Sequence, residues 1–358
     1  MLTFITKRLW YGVWVLLGVV TVVFFLFNIL PGDPARMMLG QRADISSVES
    51  IRHELGLDRP VHKQYLHYLN DLSPISLHRH DRSESLIYLD DDMYRYAPVL
   101  STGKLTLVVK EPYLRRSYQS NRDVTGILWS AFPNTLLLAS VSILFAMVAG
   151  IMLGTFIALK SRPWLSRGTL VFSVLGMSLP SFFAAILMAW VFAYLLGDVT
   201  GLNMTGSLWD VDDFGRGEYI AWQNLILPAA TLGIRPLAIV TELTRSSLSN
   251  VMAQDYIRTA RAKGLSAYRV ITRHALKNAM NPVITAVSGW FASLMAGAVF
   301  VEYVFDWKGV GVVIVDALEY YDFPVLMGAV LFISVVLVIL NITVDVIYAW
   351  LDPRVRLT

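Results

Sequence analysis

Cysteine is absent from all 358 residues, which excludes a disulfide framework, a thiolate metal site and a thiol nucleophile. Charge is scarce: Asp, Glu, Lys and Arg together make up 16% of the chain, where a soluble domain carries about 25%. No Gly-x-x-x-x-Gly-Lys-Ser/Thr run occurs, so the chain has no phosphate cradle of its own for ATP. Neither a Gly-x-Ser-x-Gly elbow nor a His-Glu-x-x-His pair is present. The one large polar segment nearly balances its charges and offers no nucleic-acid footprint. What fills the space is apolar. Hydrophobic residues reach 55% and the mean hydropathy is +0.54, an excess that points to several membrane spans rather than a soluble core.

Six apolar stretches can be placed. The first runs from about Leu9 to Leu30 behind Lys7 and Arg8. It is longer than a signal-peptide core and lacks a small-residue cleavage site, so it reads as an uncleaved span. Pro31-Gly-Asp-Pro34 stops it, because proline removes a donor and disfavours helix in the residue before it. The second stretch covers about Asn134 to Leu159, entered through Phe132-Pro133. The third covers about Leu170 to Leu196, with Pro180 inside as a kink. The others cover about Leu225 to Leu243, Pro282 to Val301 and Val325 to Trp350.

Charge orients them. Lys7, Arg8, Lys160, Arg162, Arg167, Arg354 and Arg356 flank one set of span ends, together with a strongly basic loop at about 245–281. The connections 197–221 and 302–322 carry ten acids against two bases. Cytoplasmic loops hold the excess of Lys and Arg. The expected fold is therefore an all-α polytopic membrane protein with six transmembrane helices and both termini inside. Residues 1–30 form the first span, 31–128 an extracytoplasmic segment, and 129–358 a five-helix core. Within the outer segment, Ser47 to Leu57 reads as helix. Ser85-Leu-Ile-Tyr-Leu and Lys104-Leu-Thr-Leu-Val-Val predict a small mixed insert with strands at about 72–122, either a docking surface or a cap over the outer face.

The basic loop is the most informative polar stretch. Arg245, Arg258, Arg261, Lys263, Arg269, Arg273 and Lys277 face a single acid, Asp255. Helical spacing sets Val251, Tyr256, Ala260, Leu265, Tyr268 and Ile271 among them, and Gly264 breaks the pattern where one helix ends and another begins. The pattern fits a helical hairpin with an apolar ridge and a cationic rim. It fits a loop lying on anionic headgroups equally well.

Particular residues separate the two. Asp255-Tyr-Ile-Arg-Thr-Ala-Arg-Ala-Lys-Gly264-Leu, then Arg273-His-Ala-Leu-Lys-Asn-Ala-Met-Asn-Pro282, resembles the cytoplasmic loop of ABC importer permeases, in particular the dipeptide/oligopeptide and nickel branch. The family pattern reads Glu-Ala-Ala, three residues, then Gly; here Arg258, Thr259 and Ala260 hold the first three places. Leu30-Pro-Gly-Asp-Pro34, Leu179-Pro-Ser-Phe-Phe183, Glu302-Tyr-Val-Phe-Asp-Trp-Lys-Gly-Val-Gly311 and the ending Asp345-Val-Ile-Tyr-Ala-Trp-Leu-Asp-Pro-Arg-Val-Arg356 are similar to the same family. The match fails between about Leu72 and Arg122.

The resemblance implies an ABC type I importer permease subunit in a bacterial inner membrane. It implies a second, related permease chain, two ATP-binding cassette subunits and an extracytoplasmic solute-binding protein as partners. ATP and Mg would sit on the partner subunits, with no cofactor or catalytic residue here. The docking loop would comprise Arg258, Thr259, Ala260, Arg261, Lys263, Gly264, Leu265, Arg273 and His274, with Ala260 and Gly264 packing in the ATPase groove and Arg258, Arg261 and Lys263 as its rim. Peptide, nickel-chelate and glutathione-like cargoes share this pattern.

Three ionisable residues fall within spans: Arg235, Glu242 and Asp345. Each is costly in hydrocarbon, and they read as intramembrane polar pairs rather than a proton relay. A stand-alone transporter driven by an ion gradient would carry more such groups along a path. His78-Arg-His80-Asp81 is the one histidine cluster, with spacing open to a metal only if ligands come from elsewhere. A membrane enzyme or scaffold built on the insert would need a motif that is missing.

Overall fold

The computed structural model describes residues 2–29, 44–54, 57–79, 88, 94–102, 105–160, 163–211 and 217–351. Leu30-Pro-Gly-Asp-Pro34, His80, Asp81, most of the strand expected at 85–89, and the final Asp352 to Arg356 lie outside those residues.

The helices are α1 (Leu2–Ile29), α2 (Ile45–Glu54), α3 (Val61–Leu72), α4 (Val124–Lys160), α5 (Pro163–Ser178), α6 (Ser181–Met188), α7 (Gly197–Thr200), α8 (Gln223–Met252), α9 (Asp255–Ala262), α10 (Ala267–Arg269), α11 (Lys277–Ala279), α12 (Asn281–Gly297), α13 (Val299–Phe305), α14 (Val310–Glu319) and α15 (Phe323–Leu351). Stretches within α1, α4, α8 and α15 are each long and apolar enough to cross a membrane. Two further candidates are broken: Trp164–Ser178 with Ser181–Leu195 bends by 109°, and Asn281–Met295 with Val299–Phe305 by 59°. Counting each bent pair as one span gives up to six. The chain is thus a mostly helical membrane protein whose spans coincide with the apolar stretches of the sequence.

Two differences from expectation have local causes. The second span does not start behind Pro133. Helix α4 begins at Val124 and carries Pro133 in its interior, which neighbouring groups permit when they satisfy the freed backbone. At Pro180 the expected kink is a full break, with Ser178 ending α5 and Pro180 capping α6.

The chain divides into two compact units. The first comprises Met1–Ile5, Ala131–Val312 and Val336–Thr358. Its core joins Leu138, Leu225, Leu232, Leu294, Phe305 and the fully buried Trp307. Helices α4 and α8 approach so closely that side chains must vanish between them. A Cβ on Gly150 would lie 2.7 Å from Val240 Cγ1, and one on Gly154 would lie 2.5 Å from the Thr241 carbonyl. Small residues allow such contact in lipid, where dispersion replaces the hydrophobic effect as the force between helices. The Trp307 indole donates to the Asn134 carbonyl at 2.9 Å, and Thr135 Oγ1 accepts from the Val310 amide at 2.9 Å. Glu302, one of the acids expected on the outer side, is fully buried on α13 and accepts from the Gly311 amide at 2.6 Å. Gly309 and Gly311 leave room for that carboxylate, since a Cβ on either would collide with it.

The second unit comprises Thr6–Ser130 and Val313–Val335. Val20, Val23 and Phe24 of α1 pack with Tyr68 of α3 and Met327 of α15. The insert folds as a three-stranded antiparallel sheet, β1 (Ile75–Arg79), β2 (Tyr96–Thr102) and β3 (Leu105–Lys110), in the order β1-β3-β2. Ser76, His78, Thr106, Val108 and Lys110 form its buried face. That polar interior is served by Asp71, which accepts from Tyr94 Oη at 2.7 Å and from Arg115 Nε and Nη2 at 3.0 and 2.9 Å. His78 is buried against Ser76 Oγ at 2.8 Å. Among the described residues no cluster is fit to hold a metal ion. Asp322, another of the acids expected on the outer side, is buried and accepts from the Tyr118 amide at 3.0 Å.

Lys110 lies over the Tyr94 ring at 3.8 Å, and among the described residues its buried ammonium has no hydrogen-bond partner. Burial pulls its pKa down to about 8, with Asp71 opposing. The unfolded chain therefore binds the extra proton between about pH 8 and 10.5, and stability rises with pH across that window. Lys110→Met should abolish this rise, read as Tm against pH. Gly154→Leu should overpack the α4–α8 seam and cost about 1–3 kcal/mol, read as a lower Tm in detergent.

Candidate functional site

The basic loop folds as the hairpin its spacing predicts. Helix α8 leads into α9 (Asp255–Ala262), and a turn follows at Lys263 and Gly264. The return limb is helical from Ala267 to Ala279, with a π-helical stretch at Val270–Leu276. Gly264 has φ +78°, a left-handed conformation that costs other L-residues roughly 1–2 kcal/mol. The Gly264 amide donates to the Arg261 carbonyl at 2.9 Å and the Leu265 amide to the Ala260 carbonyl at 3.3 Å. These paired bonds, with Leu265 and Ala260 in one apolar cluster, make a Schellman cap.

A small core holds the hairpin rigid. Ile257, Ala260, Val270, Ala275 and Ala279 bury against Leu248 of α8, with Ala158 of α4, Val251, Met252, Leu265 and Met280 around them. Ala260 is 7% exposed. Its methyl lies in the hairpin's own cluster, as the inner face of a short amphipathic helix requires, and not on the outward face where the expected groove contact would be. Tyr256 Oη also accepts from Asn278 Nδ2 at 3.1 Å, tying the two limbs.

The outward face is cationic. Arg258, Thr259, Arg261, Lys263, Gly264, Arg269, Arg273 and Lys277 are exposed, while Leu265 and His274 are half-buried. Asp255 reaches Arg258 at 3.5 Å, both largely exposed, a pair of little energetic weight. Tyr268, 78% exposed, stands among the bases. The seventh base faces elsewhere. Arg245 lies against Glu242 one turn back, with contacts of 3.0 and 2.5 Å.

That pairing occupies Glu242 and leaves Arg235 apart from it. Arg235 Nη2 donates to the Leu179 carbonyl at 2.6 Å, at the break between α5 and α6. Asp345 sits in α15, half-buried. A cavity of about 90 Å³ adjoins Arg235, bounded by Ser181, Thr231, Trp290 and Ser293. Sequence reasoning missed this cavity, since no local pattern reports which faces of four helices converge.

Residues 150–357 match the family described as binding-protein-dependent transport system inner membrane component, and residues 1–80 match its N-terminal counterpart. The chain belongs to this family of transport permeases. Over 357 aligned residues it is 33% identical to the glutathione transport system permease protein GsiC of Escherichia coli O6:H1 (strain CFT073), covering 99% of each chain. It is 32% identical to the di/tripeptide transport system permease protein DppB of Pseudomonas aeruginosa (strain UCBPP-PA14), again covering 99% of each. An inward-facing form of the MetNI methionine ABC transporter is similar with a TM-score of 0.48 and 14% identity, over 64% of this chain and 97% of that one. As a family member, the chain is a transport permease component.

Proposed function

We propose that this permease crosses a bacterial inner membrane six times with both termini inside, and that it forms half of the translocation path of an ATP-driven importer. The cargo would be a peptide or a glutathione-like peptide, as for the relatives named above. A second, related permease would complete the path, and a solute-binding protein would deliver cargo from outside. ATP and Mg would be bound and ATP hydrolysed on two separate cassette subunits, with this chain holding neither.

The observation that carries the reading is the hairpin. Its bases point outward while its apolar residues are locked against Leu248 and Ala158, so a force applied at Arg258, Arg261 or Lys263 passes into α8 and α4 without first bending the joint. A floppy loop on headgroups would need no such core. Closure of the nucleotide-binding subunits would then shift the spans between inward-facing and outward-facing arrangements, to the extent that the bound partner favours one of them. Glu242 is engaged by Arg245, which supports a structural pairing over a proton relay.

Gly264→Val should insert normally yet lose coupling: uptake falls at least about tenfold while ATPase activity of the assembled complex persists, because the left-handed turn is lost. Retained coupling in that variant, or crosslinks placing Lys263 on the extracytoplasmic side, would refute the docking role.

A further inference from the structure

Arg235 presents a problem that the docking role does not solve. A guanidinium stays charged at every accessible pH, and a charge within a span is tolerated where it faces the bundle or a water-filled cavity and finds partners. Here the partners are incomplete. Among the described residues Arg235 has one hydrogen bond, to the Leu179 carbonyl, and its buried Nε has none. No carboxylate lines the adjoining cavity. Ser181 of α6 and Trp290 and Ser293 of α12 line it together with Thr231 of α8.

A structural brace would be expected to satisfy its donors within the chain. Instead, one nitrogen is held by the carbonyl exposed at the Pro180 break, and Nε is buried with no partner among the described residues. The adjoining cavity, of about 90 Å³, has room for a small group such as a carboxylate, since a single water needs only about 10–15 Å³ on the same measure. Guanidinium recognises carboxylate as a fork with charge-assisted bonds.

We propose that Arg235, with the Ser181 and Ser293 hydroxyls, is a carboxylate-binding station within the membrane that receives the terminal carboxylate of the cargo during passage. This rests on the permease reading and adds the recognising group. The station acts as a counter-charge, lowering the cost of carrying an anion through a low-dielectric path.

The test uses the assembled importer with its binding protein, in vesicles. Uptake of a peptide is compared with uptake of its C-terminal amide, each variant scored against the wild type for the same peptide. Arg235→Gln should lower free-acid uptake at least about tenfold, the scale of a hydrogen bond to a charged group, and leave amide uptake unchanged. An equal fall for both would overturn the proposal, and would be the result if the anion came from a partner subunit or if Arg235 only braced the fold. Where the wild type accepts the free acid alone, Arg235→Cys decides: in a chain without cysteine, a methanethiosulfonate adding an aminoethyl group should restore uptake and one adding a sulfonatoethyl group should not. Restoration by both, or by neither, would overturn it. A wild type that imports neither peptide on ATP would instead refute the permease reading.

Discussion

The burial of Ile257, Ala260 and Val270 against Leu248 is the contact on which the rest depends. Without it, the basic hairpin would hang from α8 by flexible backbone and could respond to a partner without moving anything else. With it, hairpin and helix form one body. The apolar residues involved are small or β-branched, so little rotamer freedom is lost in fixing them, and Gly264 lets the chain reverse within two residues. Rigidity here comes from a modest core and a single favourable turn.

Intramembrane charge shows the same economy. Glu242 and Arg245 neutralise one another a turn apart, and Glu302 accepts from the Gly311 amide in a pocket kept open by Gly309 and Gly311. Trp307 and the Asn134–Thr135 step clamp the same segment. Arg235 departs from the rule, and it does so beside a broken helix, where unpaired carbonyls are available. Helix breaks in lipid are sustained only where protein or water can satisfy the freed groups. Charge and break therefore explain one another.

Much of this was written locally in the chain. The apolar stretches announce the spans, Gly264 marks the end of α9, and Pro180 marks the interruption of the third span. These are one-dimensional signals of length, spacing and backbone preference. Arg245 was also readable, since three residues separate it from Glu242 on a helix, although its neighbourhood of bases argued for the loop. Ala260 could not be oriented from the sequence, because a hairpin with apolar residues among charges can turn either face to a partner. Only packing decides that its methyl points home. Glu302 and Asp322 were unreadable for the opposite reason: an acid between spans looks solvated until the amides that receive it are brought in from elsewhere. The insert is the extreme case, its sheet turning Ser76, Thr106 and Lys110 inward and Ile75, Leu77 and Val109 outward. Alternation gave the strands, but not which face is inside, because the Asp71 and Arg115 cluster that makes a polar interior tolerable lies in other segments.

The glycine seam between α4 and α8 has a mechanical corollary. With backbone lying against side chain at Gly150 and Gly154, the two rods interlock as teeth do, so one cannot slip lengthwise past its neighbour. They are left free to tilt as a pair. A transporter built this way has a stiff rocker arm, and any change of stroke must come from its pivots.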